Sequence, residues 1–339
     1  MSPSLTTSAA GRAYDFSHVV GGRQITGIVN MAFGQDDDVY ITKKSLYFFD
    51  VMRLTIGAEP GDEEEVTSFR EVNPGFFDGA WPASVAVGPE LDVYVTDELR
   101  SLISVFDRDG KFIRNIGEPG AGPGQFDRPS GIVFAEDGSM YISDTMNHRI
   151  QHLASDGEFI HGFGGQGPDE AHFQSPWGIA IDGEGNLFVA DHRNHRIQKF
   201  DGGGGFLSAF GSPNSTPGSG AGQFDQPSDV AVDPDGDIYV CDWANDRVQV
   251  FNQSGEYLLR LGGSAVELSK WQKRYIQGNP DVYKARRRVD SLDPETKFAL
   301  PTGVKFDGSR NSLLVVDSQR WRIQIFNKLE GYAEPQFNI

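Results

Sequence analysis

The sequence predicts an all-β protein: one six-bladed β-propeller, closed into a ring by its own N-terminal strand. Three observations predict this. A segment of roughly forty residues recurs along most of the chain, and such self-similarity marks a repeat architecture. Within each copy, apolar and polar residues alternate with period two, and Asp/Gly turns separate the runs. The last copy stops one strand short, and a strand of the missing kind stands at the other end of the chain.

The copies can be taken in order. The most degenerate begins at Ile25 ("ITGIVNMAFGQDDDVYITKKSLYFFDVMRLTIG") and a clearer one at Pro82 ("PASVAVGPELDVYVTDELRSLISVFDRDGKFIRNIG"). The three best cover residues 128–165, 175–211 and 226–263, and the sixth begins at Pro301 ("PTGVKFDGSRNSLLVVDSQRWRIQIFN"). In the copy at 128–165 the expected strands are Ile132 to Phe134, Tyr141-Ile142, Ile150 to Leu153 and Phe159 to Phe163. The sixth copy ends after its third strand, at Asn327. "FSHVVGG" (16–22) resembles the fourth strands "FIHGFGG" (159–165) and "YLLRLGG" (257–263). A terminal strand that completes the last copy closes the sheet ring and removes exposed edges. The expected organisation is a tail at 1–13, a propeller at 14–330 and a tail at 331–339. Residues 264–300 are expected as a partly helical, lid-like insertion between blades 5 and 6.

Composition narrows the function. The 339 residues carry a net charge of −18, which argues against nucleic acid or an anionic membrane as the main partner. One cysteine, Cys241, excludes an internal disulfide. The N-terminus lacks the charged and apolar regions of a secretory leader, and no run approaches a membrane span. A soluble, cytoplasmic protein is the expectation. No glycine-rich nucleotide fingerprint occurs, so no nucleotide cofactor is expected.

The propeller topology places the start of each first strand and the loop after each second strand on one face. Two rings of side chains therefore border the channel mouth. The strand-two Asp set (Asp97, Asp144, Asp191, Asp242, Asp317) recurs and reads as structural. His195 aligns with His148, Asp246, Ser101 and Trp321 and reads as a loop cap. The Arg after it (Arg149, Arg196, Arg247, Arg322) is expected to pair with the Asp of a neighbouring blade. His192 instead varies within the repeat, against Glu98, Thr145, Trp243 and Ser318. It is either a functional mouth residue, titrating near neutrality, or a solvated loop histidine. Trp177 and Trp243 either wall a ligand pocket or plug the mouth. Asp229 breaks a ring otherwise rich in Gly. Either it nucleates an oxygen shell for Ca²⁺ in the channel, or it is hydrogen-bonded among channel waters.

"GQFDRPSGI…DGSMYISDTMNHRIQ" and "GQFDQPSDVAVDPDGDIYVCDWANDRVQVF" resemble NHL repeats, and the resemblance extends over roughly residues 14–328. It implies the propeller fold and leaves function open, since such propellers serve as enzymes, RNA binders and interaction platforms. Among the enzymes, the chain is similar to the peptidyl-hydroxyglycine amidating lyases. That family sets zinc-binding His after the first-strand Pro. Here those positions are Ala83, Ser130, Trp177, Ser228 and Thr302, so zinc is not supported there. The resemblance implies a Ca²⁺-binding role for Asp229 and substrate contacts at His192 and Trp243. Lactonases of the gluconolactonase type are also six-bladed, but their metal-binding "E-G-P" motif is not found near the N-terminus.

The leading expectation is a small-molecule-binding propeller, an enzyme of lyase or hydrolase type. Its site lies at the upper channel mouth, under the 264–300 insertion. His192 and Glu98 are the acid–base candidates. Trp177 and Trp243 wall the substrate, and Arg193 and Lys43, with the basic residues of the insertion, hold an anionic group. The alternative is a non-catalytic interaction scaffold, and RNA binding is the least favoured reading. A ligand binder should show an aromatic-lined cavity at the mouth; a scaffold should show a flat or filled one.

Overall fold

A computed structural model describes residues 6–45, 49–265, 267–286, 288 and 296–331. Among them, five four-stranded sheets and one five-stranded sheet are arranged as six blades. Blade 1 is Ile28–Phe33, Asp38–Lys44, Phe49–Thr55 and Glu64–Ser68; blade 2 is Pro82–Val87, Val93–Asp97, Leu102–Phe106 and Phe112–Ile116. Blade 3 is Pro129–Phe134, Met140–Asp144, Arg149–Leu153 and Phe159–Gly164; blade 4 is Pro176–Ile181, Leu187–Asp191, Arg196–Phe200 and Phe206–Gly211. Blade 5 is Pro227–Val232, Ile238–Asp242, Arg247–Phe251 and Tyr257–Leu261. Blade 6 takes Pro301–Asp307, Ser312–Asp317 and Arg322–Lys328 from the C-terminal part and Arg12–Gly21 from the N-terminal part. Each first strand touches the first strands on both sides, and blade 6 meets blade 1, so the ring is closed.

The closing strand pairs antiparallel with the last, from Tyr14 opposite Lys328 to Gly21 opposite Arg322. Residues 6–13 are not a tail. Thr6–Ala9 folds back as a fifth strand, with Thr6 opposite Asp15. The hairpin covers backbone groups of the closing strand that would otherwise be left as a free edge. Residues 332–339 lie outside the described residues.

The turns follow from their residues. Asp182 Oδ1 accepts from the backbone N–H of Glu184 and Asn186, and Gly185 supplies the left-handed position at φ 82°. Apolar side chains gather in six clusters, one at each junction between neighbouring blades. The core is therefore a ring of seams around a channel rather than one central mass.

The insertion after blade 5 forms helices Lys270–Gly278 and Pro280–Arg286. The first opens with a capping box between Ser269 and Gln272. It is fastened to the outer rim. Trp271 is buried in the seam between blades 6 and 1, Ser269 Oγ donates to Gly21 O, and Tyr275 stacks under Arg23. Lys270 Nζ donates to the carbonyls of Gly61 and Glu63 in the acidic loop of blade 1. The 264–300 insertion falls partly outside the described residues. No described helix is long and apolar enough to cross a membrane.

Closure is reinforced by charge. Lys328 Nζ lies 2.5 Å from Asp233, 2.8 Å from Asp235 and 3.0 Å from Asp237. Arg12 of the closing strand bonds Asp237 at 2.5 Å, and Tyr239 donates to Asp233 at 2.7 Å. The three carboxylates hold Lys328 charged against the cost of its burial. Lys328→Met would leave Asp233 buried without its cation, and Asp237 with Arg12 alone. The expected loss is about 3–5 kcal/mol, read as a fall in the urea unfolding midpoint at unchanged slope.

Candidate functional site

The strand-two aspartates set the geometry of the upper face. In blade 4, Asp191 Oδ1 accepts from Gln174 N, and Oδ2 accepts from Arg196 Nε at 2.8 Å, Asn194 at 2.8 Å and buried Gln198 at 3.1 Å. Asp144 with Asp127 N, and Asp242 with Asp225 N, repeat the arrangement. Asp317 accepts from Ala299 N, Arg322 and Gln324. The arginine pairs with its own blade's Asp, which corrects the expectation of a neighbouring partner. Its far end reaches the preceding loop: Arg196 donates to the carbonyls of Asp169 and His172.

His195 has the expected capping role, with more reach. It holds the left-handed position at φ 54°, and its Nδ1 accepts from Gln226 N, at the threshold of the next blade. His148 does the same for Ser175 N, Asp246 for Leu300 N and Ser101 for Arg128 N. These are blade-to-blade latches. Trp321, the blade 6 counterpart, has no such acceptor in its side chain, and the residue is 40% exposed.

The mouth is divided. On the side of blades 4 and 5, Trp177 stacks on His192 with ring centroids 3.8 Å apart, and Trp243 meets them at 6.5 and 6.1 Å. His192 Nδ1 donates to Pro227 O at 3.1 Å. Burial lowers its pKa to about 4, so it is uncharged at neutral pH, which corrects the expectation that it titrates there. The three rings contact one another and fill this side. Arg193 beside them is exposed.

Asp229 lies deep in the channel, 1% exposed. Its Oδ2 accepts from Lys305 Nζ at 2.9 Å, from Val304 N at 3.0 Å and, across the channel, from Asn30 at 3.4 Å. The carboxylate already has a cation, and it comes from the neighbouring inner strand. Groups of three or more His, Cys, Asp or Glu suited to a metal are absent among the described residues.

On the side of blades 6, 1 and 2 the mouth opens into a pocket of about 810 Å³. Arg23, Lys43, Lys44, Phe49, Trp81 and Trp321 are among the residues lining it, and no described residue of the 264–300 insertion does. Lys44 is the group that the sequence reading missed. The register shows why. Lys43 pairs with Ile28 where Asp97 pairs with Pro82. Lys43 therefore holds blade 1's Asp position, and Lys44 holds the variable ring position beside Glu98. The signal was available by setting "VYITKK" against "VYVTDE".

Lys44 Nζ lies 3.1 Å from Glu98 and 5.8 Å from the Trp81 ring centroid; Phe49 packs on Trp81 at 5.4 Å. Burial lowers the Lys44 pKa, against a rise from Glu98. Lys43 is turned to the side, donating to Gln24 O at 2.9 Å. Gly27 brings the leading loop onto Lys44, its carbonyl accepting from Lys44 N. A Cβ on Gly27 would fall 2.0 Å from Lys44 O. Glu98 stands on blade 2 and His192 on blade 4, so the structure does not bring the two acid–base candidates together.

With this geometry in hand, comparison with known proteins is informative about the repeat. The NHL repeat family matches residues 173–200 and 224–251, which are blades 4 and 5 to the end of their third strands. A family described as a 6-bladed beta-propeller matches residues 90–163. The chain carries NHL repeats. Among solved structures it is similar to virginiamycin B lyase from Staphylococcus aureus, determined with quinupristin. They share 14% identity over 93% of this chain and 88% of that one, with TM-score 0.54. A gluconolactonase from Xanthomonas campestris shares 13% identity over 94% and 90%, TM-score 0.57. A chain of a nidogen/laminin complex shares 17% over 76% and 92%, TM-score 0.53. At these identities the likeness is one of fold.

The His192 pKa has a consequence for stability. Its folded value, about 4, lies below the ordinary 6.5. The folded state thus binds fewer protons, and the contribution is complete above about pH 6.5 and lost as pH falls towards 4. His192→Phe is expected to flatten the decline of unfolding free energy across that window by up to about 3 kcal/mol. In the wild type, the His192 ring proton shifts in NMR should stay constant from pH 8 down to about pH 5.

Proposed function

We propose that the chain binds a small anionic molecule with an apolar or aromatic body in the pocket over blades 6, 1 and 2, and acts on it as a lyase or hydrolase. The observation that carries this reading is the Lys44 ammonium at a pocket bordered by Phe49, Trp81 and Trp321. A cation held away from water beside aromatic faces binds an anion more strongly than an exposed one does. Arg23 offers a second positive group at the rim. Proton transfer is assigned in this reading to Glu98, 3.1 Å from Lys44. In this reading Trp177, His192 and Trp243 form the wall of the mouth and not the reacting centre.

The scaffold reading draws on that filled side, where stacked rings leave a surface instead of a cavity. The two are separated by titrating Trp fluorescence with anilinonaphthalene sulfonate, an anionic aromatic probe. Saturable binding is expected, weakened at least tenfold by Lys44→Met and by Trp81→Ala and unchanged by Trp243→Ala, or about 1.4 kcal/mol of binding free energy. Binding that responds to Trp243→Ala alone would move the site to blades 4 and 5. No saturable binding, with no turnover of a panel of lactones and esters, would leave the scaffold reading.

A further inference from the structure

Outside the mouth, the outer part of blade 3 carries a group of polar side chains that the repeat does not require. His152 on the third strand stands directly opposite His161 on the fourth. Their Nδ1 atoms face each other at 3.4 Å, with the rings at 84°. Two nitrogens bound to one ion at about 2.0–2.1 Å in tetrahedral geometry are separated by about 3.3–3.4 Å. The observed spacing is that of two adjacent ligands.

The hydrogen bonds behind the pair fix the tautomer that a metal needs. Ser139 Oγ donates to Asp137 Oδ1 at 2.6 Å. Having used its proton there, it accepts from His152 Nε2 at 2.7 Å. With the proton on Nε2, the His152 Nδ1 presents its lone pair to the gap. A carboxylate relayed through a hydroxyl onto the distal nitrogen is the usual support of a metal-binding histidine. Tyr141 stacks on His152 at 4.0 Å and 10°, and its hydroxyl is tied to Gly202 O, so the ring cannot swing away. His161 Nε2 is buried without a hydrogen-bond partner. That edge is not what orients the ring, which leaves Nδ1 as the nitrogen with work to do.

We propose that His152 Nδ1 and His161 Nδ1 form a two-histidine site for a divalent transition metal, Zn²⁺ or Cu²⁺, completed by water. Imidazole ligands suit these ions and not Ca²⁺. The site is on the blade's outer strands, separate from the channel and from the pocket over blades 6, 1 and 2. It is independent of the function proposed there.

The test is calorimetric titration of the purified full chain with Zn²⁺ at pH 7.5, paired with the electron paramagnetic resonance spectrum of the Cu²⁺ complex. One site per chain is expected. His152→Gln and His161→Gln should each weaken it at least tenfold, and Ser139→Ala should weaken it by roughly tenfold. The Cu²⁺ spectrum should show two imidazole nitrogens in the wild type and one in either variant. His172→Gln, at an exposed loop, controls for adventitious surface binding and should change nothing. Circular dichroism verifies that the variants fold. A Cu²⁺ spectrum lacking the two-nitrogen pattern, or affinity unchanged in both variants, would overturn the site and leave the pair joined by an N–H···N hydrogen bond.

Discussion

The upper face depends on a buried carboxylate at the end of each second strand. In blades 3 to 6 this Asp is wholly buried and would be costly there alone. It is tolerated because backbone N–H, Arg and Gln donors converge on it. In satisfying the Asp, those donors also fix the loop leading into the blade and the turn leaving the second strand. A single charge thus couples the leading loop, the second strand and the third strand of its blade. The Arg reaches on to carbonyls of the leading loop, and the latch residues extend the hold across the next junction. The mouth is therefore rigid wherever the set is complete.

Blade 1 lacks the set. Lys43 takes the Asp position, so no carboxylate there gathers the leading loop, and the loop from Arg23 to Ile28 is placed by Gly27 and by the helix outside it. Blade 6 lacks the latch, because Trp321 stands in its place. The two departures adjoin, and the pocket lies between them. The same logic accounts for the filled side, where blades 4 and 5 keep every element of the repeat and their variable residues, His192 and Trp243, stack over an ordered frame. A repeat supplies stability by uniformity, and a cavity forms where uniformity lapses.

The fold could be read from the chain because periodicity, turn residues and the displaced strand all bear on it at once. The roles of the strand-two aspartates and of His195 were legible for the same reason: recurrence separates what the repeat needs from what it tolerates. The Arg partner was assigned to the wrong blade because alignment gives position along the chain and not the direction of a side chain. The ion pair of Asp229 was not anticipated because its partner, Lys305, is on the next blade's inner strand, two residues beyond the aligned Gly303. With period two, that lysine faces the same side, so the pairing was accessible in principle. Lys44 was overlooked for a different reason. The copy that holds it is the most degenerate, and the substitution of Lys43 for Asp removed the landmark by which its neighbours were found.

The order in which the chain is made adds a temporal dimension to the closure. The strand Arg12–Gly21 is made about 300 residues before its partner Arg322–Lys328. At translation rates of 5–20 residues per second, the interval is roughly 15–60 s. Throughout it, Tyr14, Val19 and Val20, all buried in the finished ring, have no place to go. The nascent chain must keep an adhesive strand from its own intermediate blades and from other chains. Its seam is thus a late event in biogenesis, and the stage at which a ribosome-bound helper would have most effect.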